Sequence, residues 1–340
     1  MNDTLTDHDG ERLQEGELWP DDLVAGQEAA FARDVERLQR RVHEFVEVAC
    51  PACGERRCAP AFEKFGFAFN SCSGCRTIYM SPRPSPQVMA DYYSGSENYA
   101  YFAKYIFPAT EQSRKHKLAQ PRLDRILEFC QRYDVPQGTL LEVGPGFGTF
   151  GEVATGSGAF KRVVAIEPTP EMAAACRARG LETIEKRVED AARDIDNADV
   201  VVSFECIEHL FEPGVFIEQC GRLLPSGGLL VLTCPNGLGF DVAVLGATSV
   251  AVDAEHVNLF NPASLAGLVE RCGFKVLEVT TPGRLDAELV RDAALKGEAR
   301  LDPFLQRVLI EEWATLGWPF QQFLAAHGLS SHMWLVARKR

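Results

Sequence analysis

The chain contains 340 residues, of which 46% are hydrophobic and 24% charged, a balance typical of a folded protein with a sizeable core. Its formal net charge of −13 repels nucleic-acid phosphates and anionic membrane surfaces, so a nucleic-acid partner is disfavoured. No apolar run reaches the ~18–20 residues of a membrane span, and the acidic N-terminus is unlike a signal or transit peptide, which argues against a membrane or exported protein.

The first predicted element is an amphipathic helix over residues 27–48, where apolar side chains recur at helical spacing. The proline-rich SPRPSPQ (81–87) predicts a linker, because proline drives the preceding residue out of helical geometry. DYYSGSENYAYFAKYIFPA (91–109) is rich in tyrosine, and we expect it either to cover a binding site or to pack between domains. The predicted divisions are a tail and helix (1–48), a cysteine module (49–80), a linker with an aromatic lid segment (81–118) and a large domain (119–340).

The cysteine module carries two C-x2-C pairs, CPACG and CSGC, separated by eighteen residues. This spacing is typical of a closed, structural zinc site with four thiolate ligands, here Cys50, Cys53, Cys72 and Cys75. The alternative is four reduced cysteines without a metal, and Cys58 has no predicted role. Most of the other cysteines are lone residues in apolar runs, which fits reduced thiols in a cytoplasmic protein.

From residue 119 onward, helix and strand patterns alternate. The predicted strands have continuous apolar runs, as in a parallel sheet that is buried on both faces, so this part is predicted to be a doubly wound α/β domain. A mostly helical insertion is predicted at 283–330. The predicted strands are 139–143, 163–167, 181–185, 199–204, 228–234, 274–280 and 333–339.

A glycine-rich loop follows the first of these strands. Gly144, Gly146 and Gly148 lie where the backbone must turn sharply and can approach a ligand closely. Glu167 ends the next strand, 19 residues after Gly148, where a carboxylate can accept hydrogen bonds from a ribose. Thr149 stands where a dinucleotide fingerprint would have its third glycine, so NAD is the weaker interpretation, and a glycine turn that binds nothing is the alternative.

The loop LLEVGPGFGTF (140–150) resembles motif I of the class I S-adenosylmethionine (SAM)-dependent methyltransferases. AIEPTPEM (165–172) looks like their acidic second motif, and LLPSGGLLVLTCPN (223–236) is similar to a third segment. The resemblance covers about 119–282 and the terminal strand, and implies a Rossmann-like, seven-stranded, mostly parallel sheet. The implied SAM-contacting residues are Glu142, Gly144, Gly146, Phe147, Gly148, Glu167, Pro168, Val188, Glu189 and Phe204.

Acidic and imidazole side chains cluster after the strand 199–204, in FECIEHLFEP. If a helix begins near Phe204, then Glu205, Glu208 and His209 share one face at i, i+3 and i+4. Two crowded carboxylates favour a bound cation or a basic neighbour. His256, in VDAEHVNLFNP, is expected to return to the same edge of the sheet.

This arrangement resembles the E-x-x-E-H site of small-RNA terminal 2′-O-methyltransferases and of ubiquinone-pathway O-methyltransferases. By that resemblance, Glu205, Glu208, His209 and His256 would bind Mg²⁺, Mn²⁺ or Fe²⁺, which would hold the hydroxyls of an acceptor. Either histidine could instead be a general base without a metal. The predicted catalytic residues are Glu208, His209 and His256.

The chain as a whole resembles bacterial zinc-ribbon methyltransferases that accompany sugar and polysaccharide biosynthesis, in segments such as NLFNPASL and VTTPG. The resemblance implies SAM-dependent O-methylation of a sugar, nucleotide sugar or glycan, with a small-molecule or glycan partner. The alternatives are an RNA 2′-O-methyltransferase, a C- or N-methyltransferase of a nucleotide sugar, and a nonenzymatic scaffold that binds the cofactor. The sequence identifies neither the acceptor nor an oligomeric state.

Overall fold

The structure is a computed structural model that describes residues 13–191, 195 and 197–340; the start of the predicted N-terminal tail, 1–12, lies outside the described residues. Among the described residues, no helix has both the length and the apolar character needed to span a bilayer. The strands are β1 (Cys58–Lys64), β2 (Phe67–Cys72), β3 (Ile78–Met80), β4 (Thr139–Val143), β5 (Arg162–Ile166), β6 (Glu182–Ile184), β7 (Val200–Phe204), β8 (Leu229–Pro235), β9 (Asn258–Leu259), β10 (Phe274–Thr280) and β11 (His332–Lys339).

The α-helices are α1 (Asp21–Gln39), α2 (Pro86–Ser94), α3 (Glu97–Tyr101), α4 (Phe107–Arg114), α5 (Gln120–Arg132), α6 (Thr149–Ser157), α7 (Pro170–Ala178), α8 (Val188–Ala191), α9 (Pro213–Arg222), α10 (Phe240–Leu245), α11 (Pro262–Arg271), α12 (Asp286–Leu295), α13 (Pro303–Gln306) and α14 (Trp313–Ala326). Short 3₁₀ turns occur at Glu15–Glu17, Val42–Glu44, Ile207–His209 and Gly246–Thr248, and a π turn at Arg307–Glu311.

Seven strands form the large sheet, in the order β10-β11-β8-β7-β4-β5-β6. Strand β11 is antiparallel to both of its neighbours, whereas the pairs among β4 to β8 are parallel. The predicted doubly wound, mostly parallel fold is therefore confirmed. The direction of strand succession reverses between β4 and β7, and in such sheets a crevice opens beyond the carboxyl ends of the strands at that point.

Both faces of the large sheet are buried, because helices pack on each of them, and successive side chains along a strand point to opposite faces. Leu140 and Val200 pack on one face with side chains of α5 and α6. Leu141 and Val201 pack on the other face with side chains of α9 and α11. Burial on both sides explains why the strands have continuous apolar runs.

The second sheet is antiparallel and contains four strands in the order β1-β2-β3-β9. Its first three strands belong to the cysteine module, but β9 comes from the large domain. Cys50, Ala52, Cys72 and Tyr79 also lie in the same buried cluster as side chains of β7 and β8. The module therefore shares a sheet and a core with the large domain.

The predicted linker and aromatic segment is largely helical. Helices α3, α4 and α5 run on from one another through two π turns, Phe102–Ile106 and Lys115–Ala119. Pro108 and Pro121 stand in the first turns of α4 and α5. Proline lacks an amide proton, and a π turn just before it lets the helix continue where a regular α-helix would break. The predicted linker, 81–87, is thus followed by an aromatic lid segment that is helical over most of its length.

The N-terminal helix also differs from its prediction of 27–48, because it begins at Asp21 and ends at Gln39. It contacts the start of α3 through Asp34, whose side chain is fully buried. The Asp34 carboxylate accepts hydrogen bonds from Ser96 Oγ at 2.6 Å and from the backbone amides of Glu97 and Asn98 at 3.0 and 2.9 Å, and pairs with Arg37. It therefore caps the N-terminus of α3 from another helix.

Replacing Asp34 by asparagine should lower the free energy of unfolding by about 1–3 kcal/mol, because the charge and one acceptor oxygen are lost from a buried network. Urea denaturation followed by circular dichroism would measure the shift. Glu36→Gln on the same helix is the control, since Glu36 makes only an exposed ion pair with Arg40 at 3.7 Å and should change stability by less than about 0.5 kcal/mol. Equal stability of the two variants would contradict the capping role.

Candidate functional site

The glycine loop after β4 needs glycine for two different reasons. Gly144, Gly146 and Gly148 all have positive φ, at 72°, 55° and 75°. A Cβ on Gly148 would lie 2.8 Å from Leu181 and 2.9 Å from Cys176, so this glycine permits close packing. A Cβ on Gly146 would meet no atom within 4 Å, so this part of the loop faces open space. The exposed backbone at Gly146 can approach a ligand in the crevice.

Glu167 lies across from this loop, just beyond the end of β5. Its side chain is buried, accepts a hydrogen bond from the Thr169 amide at 2.8 Å, and is also held by the Gly146 amide. Burial raises the pKa of Glu167, although these amides oppose the increase. The carboxylate is therefore fixed at the glycine loop, where it can accept hydrogen bonds from the hydroxyl groups of a ligand.

The other predicted cofactor residues lie on or after the strands β4 to β7, toward the carboxyl ends of these strands. Glu142 is buried in β4, its Oε2 has no hydrogen-bond partner among the described residues, and burial raises its pKa to about 8. Phe204 is buried at the end of β7, beneath the Arg122 guanidinium at 4.6 Å. Pro168 follows Glu167 and is exposed, and Val188 (buried) and Glu189 (exposed) begin α8.

The aromatic segment reaches the glycine loop through Phe107 at the start of α4. The ring of Phe107 lies 4.2 Å from that of Phe147, centroid to centroid. Further along the same run of helices, Arg122 reaches Phe204. The predicted lid segment and the helices that continue it therefore lie against the crevice.

The helix expected from Phe204 onward does not form. Glu205 has a φ of +49°, and its amide continues the pairing of β7 with β8 through Thr233 O at 3.0 Å. A single 3₁₀ turn, Ile207–His209, follows, and α9 begins only at Pro213. Because the Glu205 amide still pairs with β8 and its backbone is left-handed, the side chains of Glu205, Glu208 and His209 do not form one helical face.

The structure therefore does not bring Glu205 into the predicted four-residue site. Its Oε1 accepts hydrogen bonds from Thr233 Oγ1 at 2.5 Å and His332 Nε2 at 2.8 Å, and lies 3.5 Å from Arg122. Burial by itself would raise the pKa of Glu205. The charge of His332 and these donors outweigh that effect and hold the pKa at about 2. Glu205 belongs to a separate polar group beside the cluster.

Glu208, His209 and His256 do come together. One ligand-type atom from each lies within 4.8 Å of the others, and the two imidazole rings are 4.7 Å apart. Glu208 is 1% exposed, and neither of its carboxylate oxygens has a hydrogen-bond partner among the described residues. A buried carboxylate without any donor is costly, so this cluster has the composition of a site that accepts a cation.

The electrostatics of the cluster agree with that composition. Burial, together with the charge of Glu205, raises the pKa of Glu208 to about 8. Burial also lowers the pKa of His209 to about 3, so its ring is neutral and can offer a nitrogen lone pair. Against the effect of burial, the charges of Asp253 and Glu208 raise the pKa of His256 to about 9.

The loop that carries His256 fixes the orientation of this ring. His256 Nδ1 lies 2.9 Å from the carbonyl oxygen of Ala251, and this contact requires Nδ1 to carry a proton, so Nε2 is the nitrogen that can bind a metal once its own proton is released. Asp253 Oδ1 accepts hydrogen bonds from the amides of Glu255 and His256 at 2.7 and 2.6 Å. Such second contacts to a histidine are characteristic of metal-binding imidazoles. The three residues thus fit a divalent metal.

Tyrosines from the predicted lid segment lie on the cluster. Tyr92 and Tyr99 donate hydrogen bonds to the buried carboxylate of Glu255 at 2.7 and 2.9 Å. Tyr93 Oη lies 3.3 Å from His209 Nδ1, and its ring packs edge-on against that of Tyr99. Helices α2 and α3 therefore contribute an aromatic wall to the site.

The four cysteines of the module also come together. The Sγ atoms of Cys50 and Cys75 are 3.5 Å apart, as are those of Cys53 and Cys72. A tetrahedron with metal–sulfur bonds of about 2.3 Å requires roughly 3.8 Å, so the quartet fits a zinc ion closely.

The two cysteine pairs lie on equivalent turns. The amides of Gly54 and Arg76 each bond the carbonyl of the first cysteine of their pair, and both residues have positive φ. The two turns therefore present their thiols to a common centre, although only the first has glycine at the left-handed position.

Sequence reasoning missed several residues of this region, notably Arg122, Glu255 and His332. Glu255 directly precedes His256 in the sequence, whereas its tyrosine partners lie 163 and 156 positions away. The contact of His332 with Glu205 spans 127 positions. No local motif marks such long-range contacts. The acidic residue beside His256 was the one sequence feature that could have indicated them.

Comparison with known proteins places these features in a family. Residues 113–279 match a family model described as a methyltransferase domain. A ubiquinone biosynthesis O-methyltransferase of Xanthomonas oryzae pv. oryzae is 31% identical over 183 residues, covering 50% of this chain and 74% of that protein. A Xylella fastidiosa protein of the same name is 28% identical over 188 residues, covering 51% of this chain and 74% of its own length.

A third relative, from Mycobacterium tuberculosis, is named as a SAM-dependent methyltransferase and is 26% identical over 216 residues, which cover 63% of this chain and 71% of that protein. Residues 113–279, which match the family model, contain the glycine loop, Glu167 and the strand that precedes Glu208. Together with the strand order, these similarities show that the chain belongs to the class I SAM-dependent methyltransferases.

Proposed function

We propose that the protein transfers a methyl group from SAM to a hydroxyl oxygen of a sugar, nucleotide sugar or glycan. The observation that carries the proposal is the buried Glu208 carboxylate, which has no hydrogen-bond donor among the described residues and lies beside His209 and His256 at the crevice. A hard divalent ion held there would suit a vicinal diol, which sugars supply. The names of the Xanthomonas and Xylella relatives favour oxygen as the acceptor atom, and the net charge of −13 disfavours RNA.

In this proposal, SAM binds along the glycine loop. The open backbone at Gly146 approaches the cofactor, and Glu167 accepts hydrogen bonds from its ribose hydroxyls. The remaining contacts come from residues around the same edge: Glu142, Gly144, Phe147, Gly148, Pro168, Val188, Glu189 and Phe204. A cofactor in this position lies next to Glu208, since the loops after β4 and β7 meet at the same crevice.

Glu208, His209 and His256 would hold Mg²⁺, Mn²⁺ or Fe²⁺. Such an ion supplies a lowered pKa and a fixed position for an acceptor hydroxyl. Glu208 provides the negative charge, and the Ala251 carbonyl keeps Nε2 of His256 directed away from its own loop. Tyr92, Tyr93 and Tyr99 form a wall that excludes water and offers an aromatic face to a sugar ring.

The four cysteines would hold one structural zinc ion, since four thiolates leave no position for water. A cytoplasmic location is part of the same proposal, because a thiolate-bound zinc site needs cysteines kept in the reduced state.

The central test supplies the enzyme with methyl-labelled SAM and, in separate assays, a fractionated pool of sugars, nucleotide sugars and small glycans, and a pool of RNA. We expect label on a hydroxyl oxygen of one fraction, and we expect Glu208→Gln to lower turnover at least about 100-fold with SAM affinity nearly unchanged. Glu212→Gln, an exposed carboxylate of the same loop, is the matched control and should remain active. Label on RNA, or on carbon or nitrogen of the acceptor, would overturn the proposed acceptor class, and full activity of Glu208→Gln would overturn the role of the cluster.

Glu167→Gln should raise the Kd for SAM by about 10–100-fold, because a charge-assisted hydrogen bond to the ribose is weakened. Turnover at saturating SAM should change much less, in contrast to Glu208→Gln. Isothermal titration calorimetry and initial rates would separate the two effects. Glu171→Gln, exposed on α7, serves as the control. If the Glu167 and Glu208 variants lose cofactor affinity equally, this division of roles is wrong.

The purified protein should contain about one zinc ion per chain, and Cys72→Ser should lose it and become sensitive to proteolysis within residues 49–80. Elemental analysis and limited proteolysis provide the measurements. Cys58→Ser is the matched control, since the exposed Cys58 thiol lies outside the quartet and its loss should leave the zinc content unchanged. Zinc-free protein with an intact, protease-resistant module would refute the structural role.

A further inference from the structure

The candidate metal cluster is assembled from two segments that are distant in sequence. Glu208 and His209 lie on the turn after β7, whereas His256 lies on the loop before β9. A metal site tolerates errors of only a few tenths of an ångström in ligand position. The contacts that set the spacing between the two segments therefore matter for any ion that binds there.

Asn258 joins the two segments directly. It lies two residues after His256, and its side chain is completely buried. Its Nδ2 donates to the carbonyl of Leu210 at 2.7 Å and lies 3.3 Å from the carbonyls of Ile207 and Glu208. One side-chain amide thus contacts three carbonyl groups of the turn that carries Glu208 and His209.

Arg83 holds Asn258 and the end of the same turn. Its Nη1 donates to Asn258 Oδ1 and its Nη2 to the carbonyl of Phe211, both at 2.7 Å. The side chain is 3% exposed, and its backbone is paired with Val46 by two hydrogen bonds of 2.8 and 2.9 Å. The planar fork of the guanidinium fixes both distances at once, which a single ammonium group could not do.

The cysteine module supports this pair from the other side. Strand β3 pairs with β9, and the Met80 amide donates to the carbonyl of Val257 at 3.0 Å, next to His256. Asn261 Nδ2 donates to the carbonyl of Cys75 at 2.9 Å. The sheet that begins in the cysteine module therefore ends beside the metal cluster.

We propose that Asn258 and Arg83 are positioning residues that set the distance between the Glu208–His209 turn and His256, and that the cysteine module acts through them as the scaffold of the divalent-metal site. This role is intramolecular and requires no nucleic acid or protein partner for the module. It rests on the proposed metal-binding function of the cluster.

The test measures Mn²⁺ affinity in the full chain with its zinc retained, by the electron paramagnetic resonance signal of free Mn²⁺. Asn258→Asp keeps the size of the side chain and the oxygen that faces Arg83, but replaces the amide donor by an oxygen that faces three carbonyls. We expect the Kd for Mn²⁺ to rise about 10–100-fold, as for other residues that orient metal ligands. The Kd for SAM, which binds at the glycine loop, should stay within about two-fold of the wild-type value.

Arg83→Lys is the milder second variant, since it keeps the charge and loses the fork. We expect it to weaken Mn²⁺ binding by about 3–10-fold, again with SAM binding retained. The matched control is Asn70→Asp in the same four-stranded sheet, where Asn70 Nδ2 donates to the carbonyl of Ser81 at 2.9 Å, and it should leave the Kd for Mn²⁺ unchanged.

Unchanged Mn²⁺ affinity in both variants, beside normal binding by the wild type, would overturn the positioning role alone. Parallel losses of Mn²⁺ affinity, SAM affinity and melting temperature would also overturn it, since they would indicate a general structural role. Absence of Mn²⁺, Mg²⁺ and Fe²⁺ binding by the wild type would remove the proposed metal function and this inference with it.

Discussion

The candidate site depends on a buried carboxylate, that of Glu208, which receives no hydrogen bond from the part of the chain that the structure describes. Both oxygens of Glu208 lack a donor among the described residues, although neighbouring acids such as Glu255 and Glu167 are well supplied with donors. Burying such a group costs free energy unless a cation or a donor from a ligand compensates it. The surrounding imidazoles, tyrosines and loops form the pocket in which a cation or a ligand could compensate this carboxylate.

The pocket around Glu208 is formed by segments that lie far apart in the chain. The large sheet brings the glycine loop and the Glu208 turn to one crevice, because β4 and β7 are adjacent and parallel. The helices before the sheet add the tyrosine wall and the ring of Phe107, and the cysteine module adds β3 beside the strand that follows His256. The N-terminal third of the protein is thus integrated with the family fold, not merely attached to it.

Much of the architecture was predictable, because the central strands are buried on both faces and have uninterrupted apolar runs. The predicted strand at 139–143 matches β4 residue for residue, and that at 274–280 matches the edge strand β10. Predictions failed where distant contacts decide the conformation. The helix expected from Phe204 onward does not form, because the Glu205 amide still pairs with β8, and the two-residue β9 forms through its pairing with β3.

The sequence alone determined which side chains could serve the site, since the glycine spacing, the acid at the end of the second strand, the E-x-x-E-H segment and the paired cysteines are all local patterns. Only the tertiary structure decided which of them meet. The Glu205 side chain bonds His332 because the Glu205 amide still pairs with β8. Glu208 and His209 lie beside His256 because Asn258 and Arg83 connect the two loops. Local periodicity determines the direction of a side chain within its own element, but long-range packing and hydrogen bonding determine its partners.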